Sequence, residues 1–262
     1  MTKAIFFDID GTLVSFETHG IPASTVEAIA AARAHGVKVF IATGRPEILI
    51  NNLDALQSRG LIDGYVTMNG GYCFVGNEVI YKSAIPANEA RVLLDYCTAR
   101  LIPCVVVGER DICVCHSDDR VRSIFYEYLH AAPIPEVSPD EALRNRAAFQ
   151  MTPFITENQE AELHPHIPHC EVGRWHPAFA DVTALGNTKQ LGIDQICRHF
   201  GIDVADTMAI GDGGNDIPML RHAGIGIAMG NANDTVKAAA DYVTDPVDRD
   251  GIAKALQHFG LV

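Results

Sequence analysis

Short, almost unbroken apolar runs alternate along the chain with longer stretches in which apolar residues return every three or four positions. The runs over 3–7, 37–42, 64–68, 207–210 and 225–228 predict strands buried on both faces, as in a parallel sheet. The stretches over 22–35, 46–56, 188–200, 216–222, 234–240 and 252–259 predict helices between them. Pro22 and Pro46 suit first-turn positions, and Gly36, Gly60, Gly201 and Gly224 suit helix exits. A β-hairpin is predicted over 71–75 and 79–82, turning through Gly76-Asn77. The fold class that follows is α/β: a doubly wound, mainly parallel Rossmann-like sheet.

Between about 84 and 184 the rhythm changes. Helices are predicted over 87–100 and 118–130, and strands over 104–107, 112–116, 149–155, 170–174 and 179–182. A Pro-rich loop covers 132–139. Because this block interrupts a doubly wound domain, we expect an inserted α+β cap, with core segments 1–83 and 185–262 flanking a cap over 84–184.

The 262 residues carry a formal net charge of −13, which argues against nucleic acid and anionic membranes as partners. No apolar run approaches the ~20 residues that span a bilayer, and the first is too short and too soon interrupted by acid for a signal peptide. The seven cysteines are odd in number, lack C-x-x-C spacing and sit among apolar neighbours, so free buried thiols in a reducing cytoplasm are expected. The run His164-Pro-His166-Ile-Pro-His169-Cys170 resembles a metal-ligand cluster, but its prolines break regular ligand geometry and an exposed loop is expected.

Candidate chemistry sits at the strand ends. The first four predicted core strands run into Asp8, Thr43, Asn69 and Asp212, and ligands in open α/β sheets bind beyond the carboxyl ends of the strands. Asp8 and Asp10, two residues apart, should face one space with anchor points about 6.6 Å apart. An aspartate can attack phosphorus while a neighbouring carboxyl shuttles the proton of the leaving group. Taken alone, such a pair also suits a solvated turn or a Ca²⁺ loop. Gly11 permits a tight turn, which the Thr12 hydroxyl can hold through the backbone.

Thr43-Gly44-Arg45-Pro46 offers a hydroxyl, an open backbone, a guanidinium and a helix N-terminus, all suited to phosphate; Arg45 equally suits a nearby acid. Lys189, in the first turn of a helix, opposes the macrodipole unless it faces an anion or Asp8. In Gly211-Asp212-Gly-Gly-Asn215-Asp216, Asp212 can complete a hard-oxygen Mg²⁺ site with Asp8 and a main-chain carbonyl. Asn215 can cap a helix or reach phosphate, and Asp216 can hold metal-bound water or orient Lys189.

Taken together, Asp8-Ile-Asp10-Gly-Thr, Thr43-Gly-Arg45, Lys189 and Gly211-Asp212-Gly-Gly-Asn215-Asp216 resemble the four motifs of the haloacid dehalogenase (HAD) superfamily. The insert and the Asn69-Gly70-Gly71 hinge before it are similar to the Cof-like subfamily with a class IIB α/β cap, and among these to bacterial sugar-phosphate (hexose-phosphate) phosphatases. The resemblance implies Asp8 as nucleophile and Asp10 as acid and base. It implies Mg²⁺ bound by Asp8, the Asp10 carbonyl and Asp212, with phosphate held by Thr43, Lys189 and Asn215. Gly44 and Arg45 complete the motif, and Asn69 and Asp216 support it.

The expected activity is thus Mg²⁺-dependent hydrolysis of small phosphate monoesters, sugar phosphates first, in a cytoplasmic monomer or weak homo-oligomer. A sugar phosphomutase and a non-catalytic sugar-phosphate-binding protein are the alternatives; a dehalogenase would need neither the second acid nor a metal triad. Arg174, Trp175 and His176, in an expected loop of the cap, are candidates for contacting the sugar.

Overall fold

All four residues of β1 (Ala4–Phe7) are fully buried in the computed structural model, which describes residues 2–129 and 131–262, with Trp175 described by its backbone alone. The other strands are β2 (Lys38–Ala42), β3 (Gly64–Thr67), β4 (Tyr72–Val75), β5 (Glu78–Lys82), β6 (Cys104–Val107), β7 (Ile112–Cys115), β8 (Gln150–Pro153), β9 (Cys170–His176), β10 (Phe179–Ala184), β11 (Thr207–Gly211), β12 (Ile225–Ala228) and β13 (Tyr242–Val243).

The chain forms two compact units. The first comprises residues through Arg45, Ile50–Lys82 and Thr188–Val262. Its eight-stranded sheet has the order β13-β12-β11-β1-β2-β3-β4-β5, parallel except where β4 and β5 run antiparallel. Chain order reverses at β1, which has β2 on one side and β11 on the other. That is the switch point at which α/β sheets open a crevice.

Both faces of this sheet are covered, which is why its strands read as continuous apolar runs. Alternation along β1 sends Ile5 and Phe7 into one core, with Val26 and Ile29 of the helix Ala23–Ala34 and Ile252 and Leu256 of the helix Gly251–His258. Ala4 and Phe6 enter the other, with Ile193 and Ile196 of the helix Lys189–Phe200 and Met219 and Leu220 of Ile217–His222. There Phe6 stacks on Phe40, centroids 5.0 Å apart. Full burial of one such ring stabilises by about 1.5–3 kcal/mol.

The helix expected over 46–56 does not form. Only a 3-10 turn, Glu47–Leu49, and one helical turn, Asp54–Gln57, occupy that stretch. β-branched Ile48 and Ile50, followed by Asn51-Asn52, make it a poor helix despite its apolar spacing. The helix expected over 234–240 shortens to Asp234–Lys237.

The second unit holds Ser83–Asn187 together with Pro46–Leu49. Its sheet, in the order β7-β6-β8-β10-β9, is antiparallel throughout. The helix Ala87–Thr98 matches expectation, whereas the one expected over 118–130 begins as Asp119–Val121 and continues in wider π turns over Arg122–Tyr128. Position 130 lies outside the described residues. Two unexpected helices, Pro139–Ala142 and Glu157–Leu163, each start from a capping box, Ser138 with Glu141 and Thr156 with Gln159. Both boxes are visible as S/T-x-x-E/Q in the sequence. His164–His166 forms a 3-10 turn after the second of these helices. Arg174, Trp175 and His176 belong to β9, not to a loop: β9 pairs with β10 up to His176↔Phe179, so only the tight connection after it is a turn.

Candidate active site

The site is assembled in the first unit at the carboxyl ends of β1, β2, β3 and β11, where Asp8, Thr43, Asn69 and Asp212 are placed. Lys189 enters from the start of its helix, whose cap is the Thr188 hydroxyl accepting from the Leu191 N–H at 3.1 Å. The Lys189 side chain is fully buried, and Nζ donates to Asp8 Oδ1 and Asp216 Oδ1, both at 2.5 Å. The unfavourable charge at a helix start is thus explained by two carboxylates. Burial alone would depress the Lys189 pKa, but Asp216 and Asp8 outweigh it and the ammonium is held above its ordinary value.

Asp216 is an anchor. While Oδ1 accepts from Lys189, Oδ2 accepts from the backbone N–H groups of Asp212 and Gly213 at 2.9 and 2.8 Å. It therefore closes the turn Gly214–Asp216 before the helix without capping the helix itself, and the Asn215 amide donates to Asn69 Oδ1 at 3.0 Å. Beside that pair lies Gly44, where an added Cβ would sit 3.4 Å from the Asn69 amide and 3.7 Å from Asn215 Nδ2. Asn69 adopts φ 52°, the left-handed region that asparagine tolerates better than most residues. The Thr43 hydroxyl, almost fully buried, accepts from the Arg45 N–H at 3.0 Å. Thr43, Gly44, Asn69 and Asn215 thus form one polar cluster, without the helix N-terminus expected after Pro46.

Arg45 turns to the acid rather than to open space. Its Nε and one terminal nitrogen donate to Asp10 Oδ2 and Oδ1 at 2.7 and 2.8 Å. Thr12 also differs from expectation: its hydroxyl donates to Asp212 Oδ1 at 2.8 Å instead of holding the local backbone. Gly11, at φ 83°, has the Asp212 carboxylate where a Cβ would project, so no other residue fits there without displacing it. One participant went unread in the sequence. Asn231 Nδ2 donates to the Gly11 carbonyl at 2.8 Å and to Asp212 Oδ2 at 3.4 Å.

The donor set fits a hard divalent cation. One oxygen from each of Asp8, Asp212 and Asp216 lies within 4.8 Å of the others. Asp216 is wholly buried and takes three donors on its two oxygens. Asp8, which accepts from Lys189, and Asp212, which accepts from Thr12 and Asn231, therefore keep more lone pairs for an ion. Three carboxylates against the one Lys189 ammonium leave two negative charges in excess, the charge of one dication. Burial, then the fields of Asp216, Asp212 and Asp10, push the Asp8 carboxyl well up against the pull of Lys189. Burial also lifts Asp212, to about 6, although Thr12 and Lys189 oppose it. Carboxylates strained toward protonation in this way favour a bound cation.

In the second unit, Arg174 is fully engaged: Nε and NH2 donate to Glu160 Oε2 at 3.2 and 2.7 Å, and NH1 to the carbonyls of Ile155, Pro177 and Phe179. The His176 ring stacks on Phe179 at 5.1 Å, and its Nδ1 accepts from the Ala178 N–H. The Trp175 side chain lies outside the described residues. His169, from the suspected metal cluster, has Nδ1 2.6 Å from buried Glu89.

Fold and site define a Rossmann-like α/β protein with an acidic cluster around a buried lysine at the carboxyl ends of its strands, and the chain belongs to the haloacid dehalogenase-like hydrolases, whose family model matches residues 5–256. It is an enzyme of the phosphatase kind within that family. A solved HAD subclass IIB sugar phosphatase is 63% identical, with a TM-score of 0.94 and 100% of both chains covered. YkrA of Bacillus subtilis is 35% identical over 100% of this chain and 99% of its own. The 5-amino-6-(5-phospho-D-ribitylamino)uracil phosphatase YcsE of the same organism is 27% identical over 99% of this chain and 96% of its own. Among the described residues no helix is long and apolar enough to cross a membrane.

Proposed function

We propose that this enzyme hydrolyses small phosphate monoesters, with sugar phosphates as its substrate class, through an aspartyl phosphate on Asp8. The observation that carries the reading is Lys189, wholly buried between Asp8 and Asp216 beside Asp212. A fixed ammonium there offsets repulsion between an anionic nucleophile and an anionic phosphate. The similarity to a sugar phosphatase over the whole chain supports the substrate class.

In this mechanism an Asp8 oxygen attacks phosphorus, and the bond from phosphorus to the ester oxygen breaks as the new bond forms. Asp10 gives a proton to the departing sugar oxygen, then takes one from the water that cleaves the acyl phosphate and regenerates Asp8. Thr43, Gly44 and Asn215 hold the phosphoryl oxygens. Mg²⁺ would be held by Asp8, Asp212 and the Asp10 carbonyl, supplying charge neutralisation at the phosphoryl group. The Arg45 fork takes one lone pair on each Asp10 oxygen and leaves the other free to carry the proton in transit.

The second unit corresponds to the cap that the sequence leads us to expect, and its proposed role is to select the leaving group. Seven free, buried cysteines agree with a reducing cytoplasm, and the charge of −13 with a small-molecule partner rather than nucleic acid or membrane.

Phosphate release over a panel of hexose, pentose, triose, nucleotide and cofactor monoesters tests the proposal. Sugar phosphates should lead, Asp8→Asn should abolish turnover, and Asp10→Asn should lose about 10²–10⁴-fold. Near-normal turnover by Asp8→Asn with magnesium present would rule the mechanism out. A hexose 1-phosphate converted to hexose 6-phosphate without phosphate release would mark a mutase instead.

A further inference from the structure

Asn231 is exposed on the loop after β12, yet its amide ties together three separate stretches of chain. Its Oδ1 accepts from the Val247 N–H at 3.1 Å, and only a carbonyl oxygen can accept there. That bond fixes the orientation of the amide, so Nδ2 must face the other way. Facing that way, Nδ2 meets the Gly11 carbonyl at 2.8 Å and Asp212 Oδ2 at 3.4 Å. Thr12 holds the other Asp212 oxygen at 2.8 Å, so each oxygen of this carboxylate has its own donor.

Asp212 needs such restraint. It is crowded by Asp8 and Asp216, within 4.8 Å, and like charges that close push a flexible carboxylate toward solvent. Thr12 alone would leave the carboxylate free to swing about one bond. A second donor on the second oxygen fixes its plane. Because the same Nδ2 also holds Gly11, it links the turn after Asp10 to the loop after β11.

We infer that Asn231 is a positioning residue for the cation site, fixing the Asp212 carboxylate for an ion that Asp212 and Asp8 share. The inference rests on the reading of Asp212 as a cation ligand. Groups that orient a metal-binding side chain typically change affinity 10–100-fold when removed.

The test is calorimetric titration of Mg²⁺ into the wild-type, Asn231→Ala, Asn231→Ser and Asp212→Asn proteins without substrate, with melting temperatures taken in EDTA. Both Asn231 variants should bind Mg²⁺ about 10–100-fold more weakly, and Asp212→Asn should lose binding. Loss by Asp212→Asn with Asn231 variants within twofold of wild type would overturn the inference and leave the reading of Asp212 intact. Unchanged binding by Asp212→Asn would overturn that reading instead. A merely structural asparagine would lower the EDTA melting temperature and leave the Mg²⁺ titration unmoved, which also refutes the inference.

Discussion

Arg45 grips Asp10 at two points, Nε to Oδ2 at 2.7 Å and a terminal nitrogen to Oδ1 at 2.8 Å. The fork fixes the plane of the carboxylate, and a lysine ammonium, being a point charge, cannot do the same. Arg45→Lys should therefore lower kcat with KM changed less, and Arg45→Ala should lower kcat further. Steady-state kinetics on one sugar phosphate decides; a variant that raises KM alone would assign Arg45 to substrate binding.

Removing the buried cation should be costly for folding as well as for turnover. Lys189→Met leaves Asp8 and Asp216 facing each other without compensation, and breaking a buried pair in this way typically destabilises by about 3–5 kcal/mol. Urea denaturation measures it. A loss below about 1 kcal/mol would place Lys189 in the range of solvent-screened surface pairs.

The pH response of the cation site follows from Asp212, lifted to about 6 from its ordinary 3.8, chiefly by burial. Between those values the folded protein holds a proton that the unfolded chain has released. In EDTA, the contribution of Asp212 to stability therefore grows as pH falls through that interval. Proton and Mg²⁺ compete for the same oxygens, so the gain in melting temperature on adding Mg²⁺ should shrink below about pH 6. Melting curves with EDTA and with Mg²⁺ at several pH values should converge toward acid; a constant gap would exclude Asp212 from the cation site.

Arg174 should act on stability before selectivity. Its guanidinium satisfies Glu160 and three backbone carbonyls around β9 and β10. Arg174→Ala should cost about 1–3 kcal/mol through the acceptors left behind, read by denaturant unfolding. Full stability with an altered order of sugar-phosphate preference would return Arg174 to substrate recognition.

The sheet and most of the polar cluster were legible because each key residue follows an apolar strand directly: Asp8 after Phe7, Thr43 after Ala42, Asp212 after Gly211. Lys189 stood out as a charge on the wrong end of a helix. Asn231 carried no such mark, since its partners Gly11, Asp212 and Val247 come from three distant places in the chain. The stretch 46–56 misled because its apolar spacing suits a helix while its Ile and Asn residues do not. Glu157–Leu163 was missed although the Thr156–Gln159 pair announces it.

The placement of β1 between β2 and β11 has a consequence during synthesis. Until residues 207–211 emerge from the ribosome, one flank of a wholly apolar first strand has no hydrogen-bonding neighbour, and such edges recruit other chains. A message cut short before that point therefore encodes a product that lacks Asp212 and presents a sticky border.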